Sequence, residues 1–229
     1  MKKVKLFLLV AILCTSCSKQ KFITSGIQSV EINDMLKIQP FAYISLIEKG
    51  NRDVFNDSIS SNTKIILNES LEMFREKLHL SSEELNITDT HITEELKQEI
   101  DLLISSVQSN KDIKNIPITP LIESLLNTNE KRFGLIIVQY GFTRVKGNYG
   151  GQIVKGIGIG ILTGLLTGVS VYQNPIKANS TLHAIIVDNQ NKNVAFYNKS
   201  VLQDNEPTKK ENIIKQLNKI FENYFWKKQ

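Results

Sequence analysis

The sequence predicts an α+β (or α/β) two-layer domain in which a mixed sheet with a C-terminal antiparallel hairpin carries packed helices. Three observations lead there. Residues 132–144, RFGLIIVQYGFTR, have the continuous apolar centre of a strand buried on both faces. Residues 181–188, TLHAIIVD, and 193–198, NVAFYN, are β-branched and aromatic runs joined by the polar turn DNQNKN, most simply a hairpin. Other segments repeat apolar residues at intervals of three and four, the helical period. Strands and helices mixed along one chain favour helices laid over a sheet, with no repeat of whole elements.

In chain order, residues 37–47, KIQPFAYISLI, read as a strand with Pro40 near its start. Residues 62–80 read as a helix with Leu67, Leu71, Phe74 and Leu78 on one stripe. A second helix is expected over 93–107, where Ile92, Leu96, Ile100, Leu103 and Val107 align. Thr119-Pro120 has the form of an N-cap followed by a proline at the first helical position, opening a short helix through Leu126. After the hairpin, Thr208-Lys-Lys-Glu211 reads as a capping box. The last helix would present Ile213, Ile214, Leu217, Ile220, Phe221, Tyr224 and Phe225 on one stripe, a face that must pack on something.

The N-terminus is of a different kind. Three lysines lie within residues 1–5, Leu6 to Leu13 is an unbroken apolar run of eight, and Thr15 and Ser16 lead into Cys17. Those are the charged, apolar and small-residue regions of a secretory signal, too short for a membrane span. The chain has two cysteines, Cys14 and Cys17. Their CxxC spacing lacks the βαβ setting of a redox dithiol, and no paired histidines stand at ligand spacing to complete a zinc site.

Residues 1–18 resemble the bacterial lipoprotein signal peptide, in which a small residue precedes the cysteine that is acylated and becomes the new N-terminus. Cys14 stands where that family usually has leucine, and Leu13 is too bulky for Cys14 to be the acceptor instead. The resemblance implies lipidation at Cys17, the alternative being cleavage as an ordinary secreted protein. Ser18, rather than aspartate, after the cysteine implies sorting to the outer membrane, facing the periplasm. The expected organisation is signal 1–16, lipidated tether 17–30, and one domain over 31–229 with a glycine-rich insert at about 147–176.

Removal of the signal takes Lys2, Lys3 and Lys5 from the 28 basic residues, leaving 25 against 23 acidic ones. No basic excess on the scale of a face then remains to displace counterions, so a nucleic-acid partner is not expected. A second likeness rests on Gln39-Pro40-Phe41, the long strand before an insert, and LHAIIVDNQNKNVAFYNKS ahead of a final helix. In that order of elements the chain is similar to periplasmic lipoproteins of the curli-secretion and penicillin-binding-protein-activator type. The turn here lacks their usual glycine, and Phe196 or Tyr197 stands in place of tryptophan. The likeness implies a role in envelope assembly with an envelope protein partner, not catalysis.

Residues 147–168 hold eight of the twelve glycines, and Gly156, Gly160, Gly164 and Gly168 fall at intervals of four. On a helix this spacing bares one ridge for close approach of a second helix, at a lipid surface or in a homo-oligomer. The other reading is a buried loop or strand bend, with glycines where the backbone crowds. The glycine offsets fit neither a dinucleotide fingerprint nor a phosphate-binding loop. His79, His91 and His183 are scattered, and His183 shares a strand face with Ile185 and Val187, which favours a structural histidine. Glu94 and Glu95 suit the first turn of a helix. Asn68-Glu-Ser and Asn198-Lys-Ser match the glycosylation acceptor pattern by chance. No catalytic residue, metal ligand or cofactor site is assigned.

Overall fold

The structure, a computed structural model, describes residues 22–48, 52–110, 112–145 and 176–227. Its strands are β1 (Ile23–Thr24), β2 (Met35–Ile38), β3 (Phe41–Ile47), β4 (Asp53–Phe55), β5 (Leu80–Leu85), β6 (Phe133–Arg144), β7 (Asn179–Asp188) and β8 (Asn193–Gln203). Its helices are α1 (Asp57–Glu72), α2 (Thr90–Ser109), α3 (Pro120–Thr128) and α4 (Lys210–Phe221). The eight strands form one mixed sheet in the order β1-β8-β7-β6-β2-β5, with β3 also pairing β6 and β4 pairing β3. The pairings of β2 with β5, β2 with β6 and β3 with β6 are parallel; the others are antiparallel.

β6 is the spine, buried without a break from Phe133 to Tyr140. Its alternate residues enter different cores. Ile136, Val138 and Tyr140 pack with Leu96, Ile100 and Leu103 of α2 and Ile122 and Leu126 of α3. Leu135 and Ile137 pack with Leu67 and Leu71 of α1 and Ile213, Leu217 and Phe221 of α4. Because neighbouring strand residues point to opposite faces, helices cover both sides of the sheet. The α+β class with a mixed sheet, a C-terminal hairpin and packed helices stands, but the two-layer arrangement is corrected to three layers. An apolar stripe tells a helix to pack; it does not say on which face.

The expected strand over 37–47 is two strands, β2 and β3, interrupted at Gln39-Pro40. Proline has no N–H for the ladder and is confined to strand edges and breaks. The outer edge of this line therefore changes partner, from β5 beside β2 to β4 beside β3. At the join, α1 supplies what a strand would. The Ile44 N–H donates to Ser60 Oγ at 2.9 Å, and the Ser60 hydroxyl donates back to the Ile44 carbonyl at 3.3 Å.

Three other boundaries differ from the sequence reading. α1 starts at Asp57, capped by Asn56, whose side chain accepts from the Ile59 N–H at 2.9 Å. It stops at Glu72, so the helix expected through Leu80 gives way to turns and to β5, although Phe74 and Leu78 keep their places in the core. The capping box at Thr208 does not form: Lys209 is the N-cap of α4 and makes no side-chain cap bond. Part of the segment expected as a tether over 17–30 is packed on the domain: β1 pairs with β8, and the Phe22 ring makes tilted contacts with Phe196 and Tyr224 at 5.9 and 5.2 Å.

Candidate functional site

Cys17 and the ridge glycines Gly156, Gly160, Gly164 and Gly168 lie outside the described residues. Among the described helices, none is long and apolar enough to cross a membrane. The described residues also contain no group of three or more His, Cys, Asp or Glu side chains placed to hold a metal ion.

The histidines and helix acids are brought to separate places. His91 is exposed near the start of α2 with Glu95 at 4.0 Å, and Glu94 pairs with Lys97 at 3.9 Å. His183 is fully buried in β7, its Nδ1 3.0 Å from the Tyr197 hydroxyl and its ring edge-on to Tyr140. Burial, with Lys199 opposite on β8, pushes its pKa down to about 3, so the imidazole is neutral. Tyr140 donates to Asp101 of α2 at 2.5 Å, and burial drives its hydroxyl far above the ordinary tyrosine range. The Tyr140–Asp101 bond ties α2 to the sheet. At the β7–β8 turn, Asp188 receives two bonds from Arg132 at 2.9 and 3.1 Å and the N–H groups of Gln190 and Asn191. Burial opposes its ionisation, and Arg132 with the turn N–H groups outweighs that, leaving its pKa lowered. Asp188 thus gathers the N–H groups of the turn, while Lys192, at φ 53°, holds the left-handed position that a glycine would adopt without strain.

The cluster that sequence reasoning missed lies at the break in the sheet edge. Lys37 of β2 is fully buried, and its ammonium pairs with Glu72 at the end of α1 and with Glu84 of β5, the latter at 3.2 Å. Glu72 also accepts from Arg75 at 2.6 Å. That bond first, and the contact with Lys37 besides, hold the Glu72 carboxyl below its usual pKa against the effect of burial. About two turns back along α1, Lys64 donates to Gln39 Oε1 at 3.1 Å, and the Gln39 amide donates to the Ile87 carbonyl at 3.3 Å.

Lys64, Ile65 and Asn68 stand on one stripe of α1 and line a cleft of about 370 Å³, whose opposite wall is Gln39, Pro40 and Glu84. Asn68 Oδ1 is shielded from solvent and has no hydrogen-bond partner among the described residues. Burial lowers the Lys64 pKa, with the charge of Glu84 pulling the other way. The cleft thus sets one partly desolvated amine beside the apolar surface of Pro40 and Ile65. The only sequence signal was the spacing of Lys64 and Asn68 beside the core stripe; Glu84 and Gln39 come from distant segments.

No family model matches the chain, and no curated protein matches it. Among solved structures it is similar to the PelC dodecamer from Paraburkholderia phytofirmans in space group P6, with a TM-score of 0.37 and 6% identity over 90% of this chain and 95% of that one. It is similar also to a single-substitution variant of that dodecamer in space group C2, with a TM-score of 0.34 and 6% identity over 82% of this chain and 87% of that one. At that level of similarity neither structure bears on the residues or the function of this chain.

Proposed function

We propose that the protein is a non-enzymatic lipoprotein of the outer membrane, facing the periplasm, where its domain serves as a binding or scaffold module in envelope assembly. The observation that carries this is the leader ahead of Cys17, with its lysines, eight-residue apolar run and small residues before the cysteine. The position of the fold supports it. Phe22 is already packed against Phe196 and Tyr224, and the five Cα-to-Cα steps from Cys17 to Phe22 reach at most about 18 Å when extended. An acylated Cys17 would hold the domain against the bilayer rather than on a long leash. Several acyl chains at about 0.8 kcal/mol per buried methylene make such attachment stable.

The four-residue glycine spacing favours a second reading, in which residues 156–172 form a membrane-contacting or oligomer-forming helix. Cell fractionation with labelled palmitate and crosslinking tests both. Cys17→Ser is expected to lose the label, to keep its signal and to leave the membrane fraction. A variant that stays as firmly bound as wild type overturns lipid anchoring. Crosslinked multimers in wild-type membranes that disappear in Gly160→Leu, with the fold intact, move the weight to the second reading.

A further inference from the structure

The core beside α4 is closed before the chain ends. Phe196 and Phe221 are fully buried, and α4 stops at Phe221. Three aromatic residues then follow in succession, Tyr224, Phe225 and Trp226, each half-buried, with the exposed Lys227 behind them. They are held in place. Asn223 takes the left-handed conformation at φ 66°, its N–H donates to the Trp226 carbonyl at 2.6 Å, and the Phe225 N–H donates to the Phe221 carbonyl at 3.0 Å. The Tyr224 and Phe22 rings meet at 5.2 Å, and the Tyr224 hydroxyl donates to the Ile27 carbonyl. On the other side of the turn Trp226 stacks on Phe74 at 5.5 Å, with the Lys77 ammonium over its ring at 5.6 Å. The fold thus fixes four partly exposed rings where its N-terminal segment joins it.

Two features of this cluster point to a lipid surface. The first is chemical: tryptophan and tyrosine rings with lysines beside them are the residues that collect at the headgroup layer, where a ring can stay half wet and an ammonium can reach out to phosphate. The second is positional. Phe22 is five Cα-to-Cα steps from Cys17, at most about 18 Å, so acyl chains on that cysteine would bring this end of the domain to the bilayer. Glu31 and Glu222 lie beside the same turn and offset the lysines, so the rings rather than net charge would carry the contact. From this arrangement we infer that Phe22 and the Tyr224–Trp226 turn form a membrane-contact surface, seated in the headgroup layer of the bilayer to which Cys17 is attached. The inference rests on the anchoring proposal and adds an orientation to it: the end of α4 meets the lipid, and α2, across the sheet, does not.

Trp226 is the only tryptophan of the chain, so its fluorescence reports the contact directly. The protein, labelled with palmitate and purified from membranes in detergent, is reconstituted into phosphatidylcholine–phosphatidylglycerol vesicles whose acyl chains are either unmodified or brominated close to the headgroup. Label and flotation read the anchor; quenching by bromine reads the surface. Trp226 is expected to lose most of its emission in the brominated vesicles. A comparison protein with Trp226→Phe and Leu102→Trp moves the probe to a position on α2 that is 64% exposed, and its emission is expected to be the same in both vesicles. Labelled protein that floats with Trp226 unquenched overturns the inference and leaves the anchor standing. Emission shifted to the blue without quenching overturns it too, because the rings are then covered by protein and not by lipid. Equal quenching of the two probes shows no preferred face and has the same consequence. Protein that neither carries label nor floats removes the anchor and the surface together. If the comparison protein fails to fold, the quenching of Trp226 in the native sequence still decides.

Discussion

His183 shows how much a single buried group can contribute to the acid sensitivity of this domain. Its pKa of about 3 lies below the ordinary 6.5, so the unfolded chain takes up a proton at a pH where the folded chain does not. Stability from this residue is therefore complete above pH 6.5 and falls as the pH drops, by roughly 1.4 kcal/mol per unit, until the folded form also protonates near pH 3. Urea unfolding at pH 6.5 and 5.0 is expected to show a loss of about 2 kcal/mol in wild type that is absent from His183→Gln. Equal losses in the two proteins would mean that His183 is not the group responsible. Gly141 is limited by space rather than charge. A β-carbon there would lie 2.3 Å from the Asn179 carbonyl oxygen, so even alanine cannot be added between β6 and β7 without moving backbone.

At the level of elements, Lys37 joins three segments that are distant in sequence, and the cost of breaking that joint depends on which partner is removed. Lys37 is fully buried, whereas the side chains of Glu72 and Glu84 are 39% and 22% exposed. Lys37→Met leaves carboxylates that water can still reach, and a shift within about 1 kcal/mol is expected. Glu72→Gln with Glu84→Gln strands a buried ammonium and should cost about 3–5 kcal/mol. Chemical denaturation of both variants reads the difference; similar costs would show that the ion pairs, not the buried charge, dominate. The elements themselves were unequally legible. β6, β7 and β8 could be read because burial on both faces demands apolar runs, and α2 because its buried residues keep a strict helical period. β5, LSSEEL, could not: it pairs along one edge only, and its Glu84 is turned to a lysine rather than to oil. The cap and first turns of α1, NDSISSN, are polar, with Asn56 and Ser60 serving the backbone there, which composition alone reads as loop. The cleft was hidden for the same reason: Gln39, Lys64 and Glu84 are brought together by strand pairing and by a proline break, neither of which leaves a local motif.

For the molecule as a whole, α4 and the residues after it close one of the two principal cores. Ile213, Leu217, Ile220 and Phe221 are fully buried, and Trp226 stacks on Phe74 at 5.5 Å. At about 1.5–3 kcal/mol per large side chain, a chain ending before Ile213 would forfeit roughly 6–12 kcal/mol, comparable to the whole stability of a domain. Such a truncation is expected to lose its cooperative melting transition and to be cleaved rapidly by protease. A truncated chain that melts like wild type would show that the core closes without this helix.

The same region receives the N-terminal end of the fold: β1 lies along β8, and the Tyr224 hydroxyl donates to the Ile27 carbonyl at 2.9 Å. This seam dictates an order of assembly. Synthesis from the N-terminus presents the first strand long before the residues that pair with it exist, and loop-closure entropy makes the longest connection the last to profit from its contacts. The β1 edge is therefore completed only after the whole chain has arrived. Until then, the outer edge of β8 stays open, and any partner that engages the nascent domain meets an unfinished sheet.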